Sequence, residues 1–201
     1  MSEVGPKDPI SGFRHPVGVE HVDTESLQAG LAEIRRAPRD AGTVELIVRR
    51  PAPEERQVVA EAELDPAAGL VGDNWLERGS RATEDGSAHP EMQLTMMGAR
   101  AAALIARARE RWPLAGDQLY VDIDLSGANL PPGTRLEVGT AVIEITDQPH
   151  TGCGKFVRRF GVDAMKFVNT ELGRELNLRG IYARVVTGGT VRAGDLIRKL
   201  D

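Results

Sequence analysis

The residues best suited to chemistry surround the single cysteine of the chain, Cys153. It lies between Gly152 and Gly154, three residues after His150 and directly before a basic run. The glycines leave room for a ligand close to the sulfur. A thiol acts as a nucleophile or metal ligand as its thiolate, which nearby cations and a helix N-terminus favour. These features favour a functional thiol over the alternative, a small buried hydrophobic residue.

The basic residues near the cysteine are candidates for binding an anion such as a phosphate. They are Lys155, Arg158 and Arg159, with Arg179 and Arg184 further along the chain. The alternative is that these side chains form the solvated flank of a helix. The sequence alone leaves both interpretations open.

His150 and Cys153 together are candidate catalytic residues. They would supply half of a metal site, or the two side chains of a Cys/His hydrolase. Catalytic partners normally come from distant parts of a fold, so this close spacing gives the hydrolase little support. The chain has no phosphate loop, no GxGxxG motif, no HExxH motif and no nucleophile elbow of the serine hydrolases.

Composition restricts the class of protein. The chain has 201 residues, of which 41% are hydrophobic and 27% charged, as is ordinary for one sizeable globular domain. The net charge of −5 argues against a general nucleic-acid-binding protein. A single cysteine excludes an intrachain disulfide framework. Because there is neither a signal-peptide core nor an apolar run of ~20 residues, we expect a soluble cytoplasmic protein without membrane association.

Hydrophobic periodicity predicts many short strands with a few helices between them. Helices are expected over residues 23–38, 98–112 and 162–172. Strands are expected over residues 43–50, 56–64, 119–125, 135–138, 141–146, 181–186, 190–192 and 196–200. The first two strands are predicted to form one hairpin, and a second hairpin is predicted to turn at Gly188-Gly189. This pattern predicts a mainly β, α+β domain built on a β-barrel with two or three inserted helices.

Residues 65–92 show no periodicity and are punctuated by glycines. A long irregular stretch in a compact domain is usually functional or disordered. We favour a functional loop, since Trp75 would be costly to leave loose in water, and we expect this loop to close over the site as a lid. The alternative is a surface loop with Trp75 fixed in the core.

Several short motifs follow one another in an order that resembles the MOSC domain, the family named for the C-terminal domain of molybdenum cofactor sulfurases. The resemblance covers most of residues 40–200. Its motifs are Gly69-Leu70-Val71-Gly72-Asp73, Gln93-Leu94-Thr95, Gly127-Ala128-Asn129-Leu130, Pro149-His150-Thr151-Gly152-Cys153, Phe160-Gly161-Val162-Asp163-Ala164, and the ranges 178–186 and 191–195. It makes residues 23–201 a MOSC-like β-barrel domain and residues 1–22 an N-terminal extension.

The resemblance implies a β-barrel of the pyruvate-kinase-barrel type and a role in molybdenum cofactor (molybdopterin) or sulfur chemistry. Family members use the cysteine as the thiolate ligand of molybdenum or as a persulfide carrier of sulfur, and Cys153 would take that role. The implied cofactor-binding residues are Arg179, Lys155, Arg158 and Arg159 for the phosphate, with Asn129 and Asp73 as polar contacts at the pocket.

The resemblance also implies partners. The chain lacks room for the pyridoxal-phosphate cysteine desulfurase domain of full-length sulfurases, and its one cysteine cannot hold an iron–sulfur cluster. We therefore expect a small-molecule substrate and a separate sulfur donor or electron-transfer protein. Reduction of N-hydroxylated compounds and acceptance of sulfur both stay open. The alternative is a non-enzymatic barrel module that binds a small anion or a partner protein without needing Cys153.

Overall fold

A computed structural model of the chain describes residues 21–200, which form eleven strands and six α-helices. The strands are β1 (Ala41–Arg49), β2 (Gln57–Val59), β3 (Glu61–Asp65), β4 (Gly69–Leu70), β5 (Leu94–Gly98), β6 (Leu119–Asp122), β7 (Arg135–Val138), β8 (Ala141–Ile145), β9 (Ile181–Thr187), β10 (Gly189–Arg192) and β11 (Leu196–Lys199). The helices are α1 (Thr24–Ala29), α2 (Leu31–Ile34), α3 (Trp75–Arg78), α4 (Ala99–Ala106), α5 (Gly154–Asn169) and α6 (Glu171–Glu175), with 3-10 helices at Pro90–Met92 and Arg109–Ala115.

Seven of the strands close into a barrel. Their order around the wall is β1, β6, β5, β9, β8, β7 and β11, and β11 pairs again with β1. Neighbouring strands are antiparallel except for β5 and β6. That parallel pair needs a crossover connection, which α4 and the 3-10 helix Arg109–Ala115 provide. The predicted β-barrel in an α+β domain is therefore confirmed, with more helices than the two or three expected.

The alternation of side chains along the strands divides the hydrophobic core in two. Met96, Leu119 and Val121 belong to the cluster formed by the barrel strands. Met97 and Tyr120 point the other way and pack with the helices around the barrel. Successive residues of a strand face opposite sides, so one wall serves both cores.

The second predicted hairpin is wrong. After β9 the chain does not fold back onto β9, because both edges of that strand are already paired, with β5 and with β8. Instead β10 pairs with β3 in a separate three-stranded sheet with β4. The predicted strand 56–64 is split: β2 pairs with β1, and β3 belongs to the smaller sheet.

Most of the predicted N-terminal extension, residues 1–22, lies outside the described residues. Val22, at its end, is 4% exposed and packs with the helices around the barrel. Within residues 21–200, every helix is too short or too polar to cross a membrane.

Candidate functional site

Cys153 opens onto a cleft of about 270 Å³ on one side of the barrel, which we call the Cys153 cleft. Its walls come from the β1–β2 connection, the region of α3, the end of the loop before α5, and the first turn of α5. Six basic side chains line it: Arg50, Arg56, Arg78, Lys155, Arg159 and Arg179. Its other polar or aromatic side chains include Asn74, Trp75, His89, His150, Phe156 and Tyr182.

The loop that follows β8 places the cysteine at the start of α5. Cys153 has extended backbone angles and is the residue immediately before the helix. The preceding residue, Gly152, donates its N–H to Asn169 Oδ1 at 3.0 Å. A β-carbon at Gly152 would lie 3.1 Å from the Val168 side chain. The absence of a side chain thus lets the loop pack against the end of α5 and fixes the cysteine at the cleft.

The Cys153 thiol is set up to ionise. Partial burial raises its pKa, but the backbone N–H groups of Phe156 and Lys155 and the charges of Arg179 and Arg159 outweigh this effect, so the pKa is lower than for an ordinary cysteine. The residue is exposed to solvent. The surroundings therefore favour the thiolate form of Cys153 more than those of an ordinary cysteine, and the sulfur is accessible from the cleft.

A buried ion pair lies at the inner end of the cleft. Arg179, 7% exposed, donates from Nη1 to Asp117 Oδ2 at 2.7 Å and from Nη2 to the Ala115 carbonyl at 2.9 Å. Its guanidinium also stacks over the Phe156 ring, 5.1 Å from the centroid. Burial raises the pKa of the Asp117 carboxyl, and the charge of Arg179 opposes that shift. Arg179 is therefore held rigidly, and its Nε has no hydrogen-bond partner among the described residues.

A second buried ion pair holds Arg50 in the wall. Arg50 donates from Nε and Nη2 to the two oxygens of Asp73, at 2.7 and 2.9 Å, and from Nη1 to the Gly116 carbonyl at 2.9 Å. The Asp73 side chain is fully buried. This bidentate pairing fixes the plane of the guanidinium.

Two further arginines, Arg56 and Arg78, have no carboxylate partner within residues 21–200. Burial, followed by the charges of neighbouring arginines, lowers the pKa of both guanidinium groups. The Nε of Arg56 is buried and makes no hydrogen bond in the described structure. These two side chains add positive charge to the cleft, and within residues 21–200 neither forms an ion pair.

The structure brings most of the predicted site residues together. Cys153, His150, Lys155, Arg159 and Arg179 all line the cleft. Arg158 is exposed and lies outside the cleft lining.

Asp73 and Asn129, which were predicted as polar contacts at the pocket, do not line the cleft. Asp73 is not part of the cleft surface and acts on it through Arg50. Asn129 lies away from the cleft, where its Nδ2 donates to the carbonyls of Arg39 and Asp124 at 2.9 and 2.7 Å.

Sequence reasoning missed four residues that shape the cleft: Arg50, Arg56, Arg78 and Asp117. None of them belongs to a local motif that points to the Cys153 site. They lie near Cys153 because the fold places distant segments of the chain side by side.

Part of the irregular stretch 65–92 forms one wall of the cleft. Trp75 lines the cleft while only 4% exposed, so this side chain is fixed in the wall rather than loose in water. The closure of this stretch as a lid stays a prediction. Within residues 21–200, no group of three His, Cys, Asp or Glu side chains is arranged to hold a metal ion.

A barrel of this topology, with a cysteine before a helix at an arginine-lined cleft, is the arrangement expected of a MOSC domain. The model of that family, described as "MOSC domain", matches residues 85–198, which is more than half of the chain. The chain therefore belongs to the MOSC domain family, which is associated with the molybdenum cofactor.

Solved structures share the fold. The YuaD protein from Bacillus subtilis is 16% identical with a TM-score of 0.57, covering 78% of this chain and 94% of that one. YiiM from Geobacillus stearothermophilus is 13% identical with a TM-score of 0.55, over 80% and 75% of the two chains. YiiM from Escherichia coli is 21% identical with a TM-score of 0.51, over 79% and 70%. At these identities the likeness shows the fold alone. A search of the curated proteins finds no match.

Proposed function

We propose that the Cys153 cleft binds the molybdenum cofactor, with the cofactor phosphate among the arginines and the Cys153 thiolate as a ligand of the metal. The observation that carries this proposal is the charge of the cleft around an exposed thiol. Six basic side chains line it, and Glu54 is the only carboxylate among the lining residues. Such a surface suits an anionic ligand.

Two arginine side chains that line the cleft have nitrogen atoms without hydrogen-bond partners among the described residues, which supports the binding of a phosphate group there. Arg56 Nε and Arg179 Nε are buried donors without hydrogen-bond partners in the described structure. Leaving a buried donor unsatisfied costs free energy, and phosphate oxygens are the acceptors that guanidinium groups prefer. Cys153 supplies a soft thiolate, which suits a soft metal centre.

The cofactor supplies, when bound, a molybdenum centre able to exchange electrons with a substrate. The roles of the protein are to hold and orient, and to move protons. Burial and the nearby arginines lower the pKa of His150 well below its ordinary value, so its ring is neutral and can carry a proton at one nitrogen. Burial raises the pKa of Tyr182, whose ring stacks on His150 with centroids 4.6 Å apart. Both groups are uncharged and would orient an N-hydroxylated substrate by hydrogen bonds. Its reduction consumes two protons and two electrons and releases water, with the electrons from a separate protein and the protons from solvent.

Sulfur carriage is a second candidate, favoured by the exposure of Cys153. The thiolate would attack the outer sulfur of a persulfide on a separate donor protein, and the donor thiolate would leave. The lowered pKa of Cys153 favours the attacking form. An exposed position is needed because the donor is a macromolecule.

The test is the molybdenum and pterin content of protein purified from cells that make the cofactor. Wild type should contain both, and Cys153→Ser should lose molybdenum. Arg56→Gln should lower the pterin content, whereas Arg158→Gln, which removes the same charge outside the cleft, should not. No cofactor in wild type, together with a mass increase of one sulfur atom at Cys153, would replace cofactor binding with sulfur carriage.

The non-enzymatic alternative makes a different prediction. A module that binds a small anion through the arginines alone should keep its affinity for inorganic phosphate in Cys153→Ser and contain neither molybdenum nor persulfide. Isothermal titration calorimetry with phosphate, on the same samples used for metal analysis, separates this outcome from the two others.

A further inference from the structure

Among the described residues, Glu54 is the only carboxylate on the surface of the Cys153 cleft, and it is bound to two of the cleft cations. Glu54 Oε1 accepts from Lys155 Nζ at 2.5 Å, and Oε2 accepts from Arg159 Nη2. These contacts join the β1–β2 connection to the first two turns of α5, residues about a hundred positions apart in the sequence. The Glu54 carboxylate therefore occupies the position beside Lys155 and Arg159 that an anionic ligand would take.

The backbone of the β1–β2 connection directs Glu54 to this place. Glu54 has a φ of +64°, in the left-handed region that residues other than glycine, asparagine and aspartate adopt infrequently. The following residue closes a turn, with the Glu55 N–H donating to the Ala52 carbonyl at 3.1 Å. Such a conformation persists where the surrounding structure holds it, and it is concentrated at ligand-binding positions.

The ion pairs of Glu54 with Lys155 and Arg159 can be replaced by contacts to a ligand. The side chains of Glu54 and Lys155 are each 56% exposed, and an exposed ion pair contributes little net free energy because water and salt screen it. An incoming phosphate carries more charge and more acceptor oxygens than one carboxylate. It can take over both Lys155 and Arg159, and Arg56 and Arg179 add positive charge to the same cleft.

We propose that Glu54 is an internal anion that occupies Lys155 and Arg159 in the empty cleft and is displaced by the phosphate group of the ligand. Glu54 thereby sets the affinity of the site for anions and keeps singly charged anions out. This inference rests on the anion-binding part of the proposed function. It assigns to the β1–β2 connection a role in selecting the ligand.

The test is isothermal titration calorimetry with inorganic phosphate at low salt, at a pH where phosphate is a dianion. Glu54→Gln should bind phosphate about threefold to fivefold more tightly than wild type, the size expected from an exposed ion pair. Glu55→Gln is the matched control. It removes the same charge one residue away. The Glu55 carboxylate accepts from Gln57 Nε2, and Arg56 bonds to the backbone carbonyl of Glu55, which the substitution keeps. Glu55→Gln should tighten phosphate binding less than Glu54→Gln does, because it changes the charge near the cleft without freeing Lys155 or Arg159.

Lys155→Gln completes a double-mutant cycle. In that background Glu54→Gln should bring a smaller gain in affinity, since one of the contested cations is gone. Acetate, a single carboxylate, should bind more tightly to Glu54→Gln than to wild type.

Equal phosphate affinities for Glu54→Gln and Glu55→Gln would overturn the role of Glu54. If Arg56→Gln still weakened phosphate binding in that case, the proposed anion site would stand without the role of Glu54. Absence of phosphate binding in wild type and Glu54→Gln alike would overturn both.

Discussion

His150 Nδ1 lies 3.7 Å from Asp117 Oδ1, and neither atom has a hydrogen-bond partner in the described structure. The other oxygen of Asp117 accepts from Arg179. One buried carboxylate thus faces a guanidinium on one side and an imidazole on the other. Because burial, then Arg179 and Arg50, lower the pKa of His150, the ring stays neutral, and the Nδ1–H tautomer is the one that directs a proton towards Asp117.

The buried neutral His150 should make stability depend on pH. Its pKa is lowered in the folded state, so below the ordinary histidine pKa of about 6.5 the unfolded chain takes up a proton that the folded chain refuses. The stability contribution is therefore full above this pH and is lost as the pH falls. Wild type should lose up to about 1.4 kcal/mol per pH unit more than His150→Gln, measured as the free energy of unfolding in urea.

The matched control for this experiment is His89→Gln. His89 also lines the cleft but is only partly buried. Its substitution leaves the buried imidazole of His150 in place, so the loss of stability that comes from His150 should persist. If His150→Gln and wild type lost stability in parallel as the pH is lowered, the prediction that His150 stays unprotonated in the folded chain would be wrong.

Removing the charge of Asp117 should destabilise the fold. Asp117→Asn keeps the shape of the side chain but leaves the buried guanidinium of Arg179 without its counter-charge, at a cost of about 3 kcal/mol. Asp122→Asn is the comparison, since Asp122 also pairs with an arginine at 2.7 Å but is partly exposed, and it should cost less than about 1 kcal/mol. Equal losses in urea unfolding would show that burial of the Asp117 pair is not what stabilises it.

The barrel could be predicted from the sequence because its signals are local. Alternating residues in β7 and β8 and the tight turn at Gly139-Thr140 indicate an antiparallel pair, which is confirmed. The pairing of β10 could not be predicted, because Gly188-Gly189 has the sequence of a tight turn that would return the chain onto β9. Which strand β10 joins depends on which edges are free, and this is settled by β5 and β8, far away in the sequence.

The site residues also divide into those that the sequence predicts and those that only the fold brings together. Cys153, His150 and the basic residues of α5 are found by sequence because they are consecutive. Arg50 and Arg56 approach Cys153 only because the β1–β2 connection passes the start of α5. Asp117 carries no signal at all, since one carboxylate before a strand is ordinary until the fold buries it against Arg179.

The reactivity of Cys153 gives a direct measure of the charge in the cleft. Arg159 contributes to the lowered pKa of the thiol, so Arg159→Gln should raise that pKa and slow alkylation by iodoacetamide at neutral pH, where less thiolate would be present. Arg158→Gln, the neighbour outside the cleft, should leave the rate close to wild type. The measurement is the alkylation rate against pH. A midpoint that moves equally in both variants would assign the effect to overall charge instead of to the cleft.

The break in α5 positions the first half of the helix, and with it the residues that follow Cys153. Gly161 has a φ of +88°, and a β-carbon there would lie 2.8 Å from the His21 ring. Gly161→Ala should therefore cost about 1–2 kcal/mol of unfolding free energy through backbone strain and the clash. Gly154→Ala, on the same helix with nothing within 4 Å of the added carbon, should be neutral or slightly stabilising. If both variants unfolded at the same urea concentration as wild type, the helix would be continuous in solution and Gly161 would not be required for its shape.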